Sequence, residues 1–322
     1  MGNKDDKPKL MSYELVNKMK NEKGIRFEIV SEDYAAFYLE NINNYMRTTA
    51  YRKNYQQYLN GKNKGKYIDL DFAYLKELST IDMHFRFLVT KMCLDIEHAL
   101  KVQILKDIEN NGTTDGYDIV KDFLELNIYI IKKLETTSSS PFTSNLIHKY
   151  FTLSKNSKGK NTITGYDDCP VWVLLELLTF GDFIKFYDYY HSLGNFVRIS
   201  KPVINLVKNI RNGAAHNNCI LTDLSPNSSK PPAEIKEVVS KINAINQNQR
   251  KKKLSSRPML EFVCLIYVYD IVVSDDIKVH RIEELKNLFF NRMLRNKEYF
   301  SNNELIKSNY DFACKVINSF FP

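Results

Sequence analysis

PVINLVKNIRNGAAHNNCIL, residues 202–221, reads at about 100° per residue as a single amphipathic helix. Val203, Val207, Ile210 and Ala214 fall on one side of it, and Asn205, Asn209, Asn212 and His216 form a polar stripe on the other. On either side of this stretch the same periodicity fills nearly the whole chain with few breakers. Alternating, β-branched runs bounded by turns are hard to find. The expected fold class is therefore all-α, with helices over residues 12–21, 31–59, 71–109, 117–134, 145–153, 171–191, 201–221, 233–246, 258–274, 279–296 and 302–320. The expected organisation is an N-terminal helical segment over 1–60, a helical core with basic loops over 61–275 and a C-terminal helical cap over 276–322. One continuous domain is the alternative.

Composition fits a globular chain with a sizeable core. Of 322 residues, 43% are hydrophobic and 26% charged, with only 11 Gly and 9 Pro, which excludes a low-complexity or disordered chain. Lys and Arg outnumber Asp and Glu by 46 to 38; the net charge of +8 permits a polyanionic partner without requiring one. Cys93, Cys169, Cys219, Cys264 and Cys314 lie far apart, with no C-x-x-C pair and no His at ligand spacing, so free thiols and no metal or cofactor are expected. The opening residues MGNKDDKPKL have no apolar stretch of signal-peptide kind. Runs such as 171–175 and 262–269 are too short to span a bilayer, so a cytoplasmic protein with no membrane contact is expected. Gly2 begins M-G-x-x-x-D, where a myristoylation pattern needs Ser or Thr in place of Asp6.

His216 is the residue with chemical interest. A lone His is ordinarily structural; here it ends a polar stripe and faces away from the local core. Asn212, four residues earlier, shares its face, where an amide can orient an imidazole or share a phosphate oxygen with it. Arg211 lies about 140° from His216 on a straight helix, close to the apolar side. Three arrangements bring the two together: the long Arg side chain wraps round, the helix distorts at Gly213, or the site forms between two copies of the chain. An Arg bridging to a buried carboxylate is the plainer reading.

The motif and its flanks resemble a known family. R-N-G-A-A-H at 211–216 resembles the R-x-x-x-x-H signature of HEPN-superfamily ribonucleases, and four further blocks resemble the Abi branch, the AbiD/AbiF type of abortive-infection protein. These are the Lys-Pro opening KPKLMSYELVNKMKNEKGIRF; YLENINNYMRTTAY with Tyr45 and Arg47; and FAYLKELSTIDMHFRFLVTKMCLDIEHALK with Asp82, Arg86, Ile96 and Glu97. The last is PVWVLLELLTFGDFIKFY with Pro170, Trp172, Glu176, Phe180 and Gly181. The resemblance runs from about Lys7 to Asp270, and blocks in the family's order are far more specific than the signature alone. Ala214 stands where the family often has Cys or another small residue.

The resemblance implies an HEPN-like helical bundle, a homodimer that places two motifs at a shared cleft, and metal-independent endoribonuclease activity in antiphage defence, together with a small structured noncoding RNA. In that setting one His216 takes the proton of a ribose 2′-OH and the other protonates the leaving 5′-oxygen. Arg211 neutralises charge on the transition state, and Asn212 orients the phosphate or the imidazole. The competing reading is a non-catalytic dimer that holds a structured RNA or a protein partner. A third is a subunit of a toxin complex.

Other residues carry weaker expectations. Arg47, Arg52 and Lys53, among the tyrosines from Tyr34 to Tyr58, have the composition of a single-strand RNA grip, and equally of a packing face. Lys155, Lys158, Lys160, Arg250, Lys251, Lys252 and Lys253 lie in stretches read as basic loops, suited to phosphates or simply to solvent. Glu97 and Glu176, in apolar helices, are expected to support buried basic groups such as Arg86 or Arg211, and Trp172 to be core.

Overall fold

Side-chain caps from Ser, Asn and Thr set where several of the helices begin, among them Ser31, Asn44, Thr179, Asn246 and Asn303. The structure, a computed structural model, describes residues 8–110, 112, 114–195 and 198–322; residues 1–7, with Gly2, Asp6 and Lys7, lie outside the described residues. Helices α1 (Ser12–Asn21), α2 (Glu32–Asn41) and α3 (Tyr45–Ala50) lead into the long α4 (Phe72–Asn110). Then come α5 (Asp118–Leu126), α6 (Ile128–Thr137), α7 (Ser144–Tyr150), strands β1 (Thr152–Lys155) and β2 (Asn161–Gly165), and helices α8 (Val171–Leu177), α9 (Phe180–Ser192) and α10 (Lys201–Ala215). The chain closes with α11 (Ala233–Ser240), α12 (Gln247–Leu254), α13 (Arg257–Val272), α14 (Asp275–Asn287) and α15 (Glu304–Phe320). The fold is mostly helical, as expected; the hairpin β1–β2 is the one sheet among the described residues.

Several boundaries depart from the expected ones for identifiable reasons. The single helix expected over 31–59 breaks because Asn44 caps α3, its Oδ1 accepting from Arg47 N at 2.9 Å. The helix expected over 171–191 breaks at Thr179, which caps α9. The basic stretch from Gln247 is not a loop but helix α12. Asn246 and Gln249 make a reciprocal capping box, and Lys, Arg and Gln are good helix formers once nucleated. Residues 152–165, read as a helix end and a loop, form a hairpin turned by Asn156, whose Oδ1 accepts from Lys158 N and Lys160 N at 2.9 and 3.1 Å. Trp172 is not core: it is 46% exposed, edge-on to Tyr117.

The chain packs as two units. One comprises Met1–Cys93, Asn209–Ile271 and Asp275–Pro322, so the stretches 1–60 and 276–322 belong to the same unit. Its core centres on Phe85, Phe262 and Phe289, with ring centroids 5.4–6.3 Å apart. Helix α13 is apolar nearly all round and supplies Met259, Phe262, Val263, Leu265 and Ile266 to it, each large side chain contributing roughly 1.5–3 kcal/mol by burial. The second unit comprises Leu94–Lys208 with Val272–Ser274. Its core joins α5 to α9, where Phe123 meets Phe186 edge-on at 5.0 Å. No helix among the described residues is long and apolar enough to cross a membrane.

Candidate functional site

Helix α10 buries Val203, Ile204, Val207, Ile210 and Ala214 and leaves Asn209 and His216 exposed, with Asn205 and Asn212 between. It ends sooner than periodicity suggests. Asn217 takes φ 55°, its N–H bonds to Ala214 O at 2.9 Å, and Asn218 N–H bonds to Gly213 O at 2.8 Å. This double bond pattern around a left-handed residue is a Schellman stop, for which Asn is second only to Gly. His216 is therefore the last residue before the left-handed turn, its imidazole in solvent and its N–H on Asn212 O at 3.0 Å.

The helix runs unbroken through Gly213, so distortion there does not bring Arg211 towards His216. Instead the guanidinium of Arg211 reaches sideways, Nη1 donating to Asn212 Oδ1 at 3.4 Å. Arg211 and Asn212 are thus joined side chain to side chain.

The segment from Asn217 to Leu224, immediately after His216, is fastened to the start of the chain and to α4. Arg47 forks onto the turn, Nη1 to Asn217 O and Nη2 to Asn217 Oδ1, the latter at 3.1 Å. Asp82, fully buried on α4, accepts from Leu221 N at 2.9 Å, Ile220 N at 3.1 Å and the Tyr51 hydroxyl at 2.8 Å, and pairs with Arg86 one turn on. Asn54 completes the set, donating to Leu221 O at 2.8 Å and accepting from Leu224 N at 2.9 Å. Burial pushes the Asp82 carboxyl above the usual carboxylate range, while Arg86, Tyr51 and the two backbone N–H groups pull it down. The same burial, with Asp82 beside it, raises the Tyr51 hydroxyl, so Tyr51 is a donor at neutral pH.

Beside this turn, Tyr34, Arg47, Lys76, Phe87, Ala215 and Asn217 line an open groove. Lys76 Nζ sits 4.6 Å from the Tyr34 ring centroid, and the Tyr34 and Phe87 rings are 37% and 58% exposed. The groove thus offers cations and aromatic faces together.

The other expected site residues fall in several places. Arg52 donates to the Tyr45 hydroxyl at 3.4 Å. Lys53 and Lys252, far apart in sequence, line one polar cleft with Arg26. Arg250 and Lys251 line another hollow with Lys236. Lys253 leaves the basic surface altogether: it is buried, its amine donating to Ser308 Oγ at 2.6 Å, and burial lowers its pKa to about 8. Lys155, Lys158 and Lys160 belong to the hairpin in the second unit. Arg86 takes its carboxylate from Asp82, whereas Glu97 pairs with Lys101 at 3.0 Å and Glu176 is exposed.

Sequence reasoning passes over Asn217, Tyr51 and Asn54. The first carries a signal, since Asn-Asn after a helical run is a stop; a buried Asn bonded to a segment about 170 residues away, or a buried Tyr bonded to Asp82 on another helix, carries none. Among the described residues, no group of three or more His, Cys, Asp or Glu side chains is placed to hold a metal ion.

Comparison with curated proteins and with solved structures gives no match. The family described as Abi-like protein matches residues 37–222, more than half of the chain. The match spans α2 through the turn after α10 and so includes Arg47, Tyr51, Asp82, Arg86, Arg211, His216 and Leu221. The chain belongs to the Abi-like protein family, and with it to the abortive-infection proteins.

Proposed function

We propose that this protein is an HEPN-type, metal-independent endoribonuclease of antiphage defence, acting as a homodimer in which two copies of the Arg211–His216 motif share one cleft. The observation that carries the reading is the placement of His216: an exposed residue just past the end of α10, one helical turn after the Asn212 that accepts from Arg211, and directly before a turn held by Arg47 and backed by Asp82. A structural His has no need of such anchoring, whereas a proton-transfer group must be held in place.

In the reaction, the 2′-oxygen attacks phosphorus and the P–O5′ bond breaks, giving a 2′,3′-cyclic phosphate and a 5′-hydroxyl. One His216 takes the 2′-OH proton and the partner copy returns a proton to O5′, so protons balance across the dimer. Arg211 supplies forked donors to the phosphate oxygens, with Asn212 steering its guanidinium. The groove beside the turn gives the strand a path, with Tyr34 and Phe87 for bases and Lys76 for phosphate.

A second reading, a dimer that binds structured RNA without cutting it, draws support from the polar cleft, apart from His216, that Arg26, Lys53 and Lys252 line together with Asp69 and Glu304. The deciding experiment is cleavage of labelled single-stranded RNA in EDTA by wild-type protein and by His216→Ala, with analysis of product ends. Cyclic-phosphate ends from the wild type alone establish the nuclease; RNA binding by both proteins with turnover by neither favours the binding dimer. Loss of a general acid–base group is expected to slow cleavage by roughly 10²–10⁴-fold.

A further inference from the structure

The polar cleft of the first unit has a volume of about 590 Å³, within the roughly 300–1,000 Å³ usual for small-molecule sites. Arg26 after α1, Lys53 after α3 and Lys252 of α12 line it, so three stretches distant in sequence bring cations to one hollow. Tyr74, Tyr299 and Asn303 line it too.

Charge is not balanced there. Of the two carboxylates in the lining, Asp69 pairs with Arg26 at 3.6 Å and Glu304 with Lys307 at 3.3 Å. Lys53 and Lys252 have no ion-pair partner among the described residues. A lone exposed Lys needs only water. Two that line one concave hollow repel each other, and an anion held there removes that cost. The charge of Lys252 is felt nearby, where it adds to burial in lowering the pKa of Lys253.

The hollow also has an aromatic side and a fixed floor. Tyr74 and Tyr299 pack with centroids 5.3 Å apart and planes inclined by 33°; both are half-buried, which leaves ring surface open. Asn303 caps α15, its Oδ1 accepting from Ile306 N at 3.0 Å, and its Nδ2 donates to the O of buried Asn54 at 3.0 Å. The site is thus formed before any ligand arrives, as small-molecule sites usually are.

We propose that this cleft binds a nucleoside monophosphate, with its phosphate on Lys53 and Lys252 and its base against the Tyr74–Tyr299 pair. The unpaired cations select a phosphate. The tyrosines beside them select a phosphate that carries a flat ring, because a base stacks on an aromatic side chain whatever its sequence identity. The same chemistry is offered by a free nucleotide and by the 5′-phosphate end of a chain. It is not offered by the body of a folded RNA, and the inference does not depend on the ribonuclease reading.

The test is calorimetric titration of the full chain with AMP and with adenosine, which has the same base and sugar but no phosphate. AMP is expected to bind saturably and at least tenfold more tightly than adenosine. Lys53→Glu and Lys252→Glu, both surface changes, each weaken AMP tenfold or more, and Tyr299→Leu weakens AMP by about tenfold while leaving inorganic phosphate as in the wild type. Competition then separates the two sources, with a short 2′-O-methyl oligonucleotide that offers no 2′-OH for cleavage. Displacement of AMP only by its 5′-phosphorylated form supports a chain end as the natural occupant; displacement by neither form supports a free nucleotide. Equal affinity for AMP and adenosine, no saturable AMP binding, or AMP affinity unchanged in folded Lys53→Glu and Lys252→Glu overturns the proposal. So does displacement by the 5′-hydroxyl form as readily as by the phosphorylated one, which would make the cleft a docking surface for the chain itself.

Discussion

The carboxylate of Asp82, part-way along α4, accepts the backbone N–H of Leu221 at 2.9 Å across 139 positions of sequence. Tyr51, Arg86 and Ile220 converge on the same group, so one buried charge joins α4, the turn after α3 and the segment that leaves the motif helix. Geometry at His216 is thereby tied to the core of its unit and not left to a surface loop.

Removing that charge is expected to be severe. Asp82→Ala leaves Arg86 buried without its partner and strips the acceptor from Tyr51 and two backbone N–H groups, a loss of roughly 3–5 kcal/mol. Asp82→Asn keeps an acceptor for the N–H groups but not the counter-charge, and falls between. Urea denaturation of the three proteins checks this ordering; an Asp82→Ala midpoint equal to wild type would show that the convergence carries no stability.

The parts of this arrangement legible in the sequence are those set by local repeat. The apolar side of α10, Val203, Val207, Ile210 and Ala214, and the long α4 follow from the 3.6-residue period, and the structure buries those four residues as the period requires. Asp82 and Arg86 stand out only through resemblance to a family, and Arg47 otherwise only as one of several cations among tyrosines, because a hydrogen bond between Arg47 and Asn217 leaves no trace in the spacing of either. Errors arise where composition stands in for local geometry. A Lys-rich run reads as a loop unless its Asn246–Gln249 capping box is weighed, and Trp172 reads as core because an apolar helix start does not say which residue faces out. His216 is legible as exposed from its stripe, but the stop at Asn217 that defines its position is signalled only by the Asn-Asn pair, which the helix expected over 201–221 runs straight through.

Lys253 offers a test through pH. Its amine is buried against Ser308, and burial lowers its pKa to about 8, below an unfolded value of about 10.4. Below pH 8 the folded chain holds a charge that burial disfavours, and the cost is fully present. Between about pH 8 and 10.4 the unfolded chain binds more protons than the folded one, so this group's contribution to stability rises with pH through that window. Lys253→Met is therefore expected to stabilise the protein at pH 7 by roughly 1–2 kcal/mol, the lost Ser308 bond offsetting part of the gain. That advantage shrinks as the pH approaches 10. Thermal unfolding of both proteins from pH 6 to 10 measures it, and a difference that stays constant or grows with pH contradicts the assignment.

Arg47 separates positioning from stability. Its fork holds Asn217 O and Oδ1 from one planar group, a geometry that a Lys ammonium cannot reproduce. The bonds lie in a solvent-facing part of the turn, so Arg47→Lys is expected to lower the unfolding free energy by only about 1 kcal/mol. Its effect on the motif is expected to be larger than on the fold. With the fork gone, the left-handed turn at Asn217 opens more readily, amide exchange at Asn217 and Asn218 speeds up, and His216 samples positions away from Arg211 and Asn212. If the protein cuts RNA as proposed, its turnover falls by roughly tenfold or more while RNA affinity changes less, because misplacing a proton-transfer group affects the chemical step before it affects binding. Exchange at Asn217 and Asn218 equal to wild type, with full turnover, would show that α10 and its own Schellman stop hold His216 without help from Arg47.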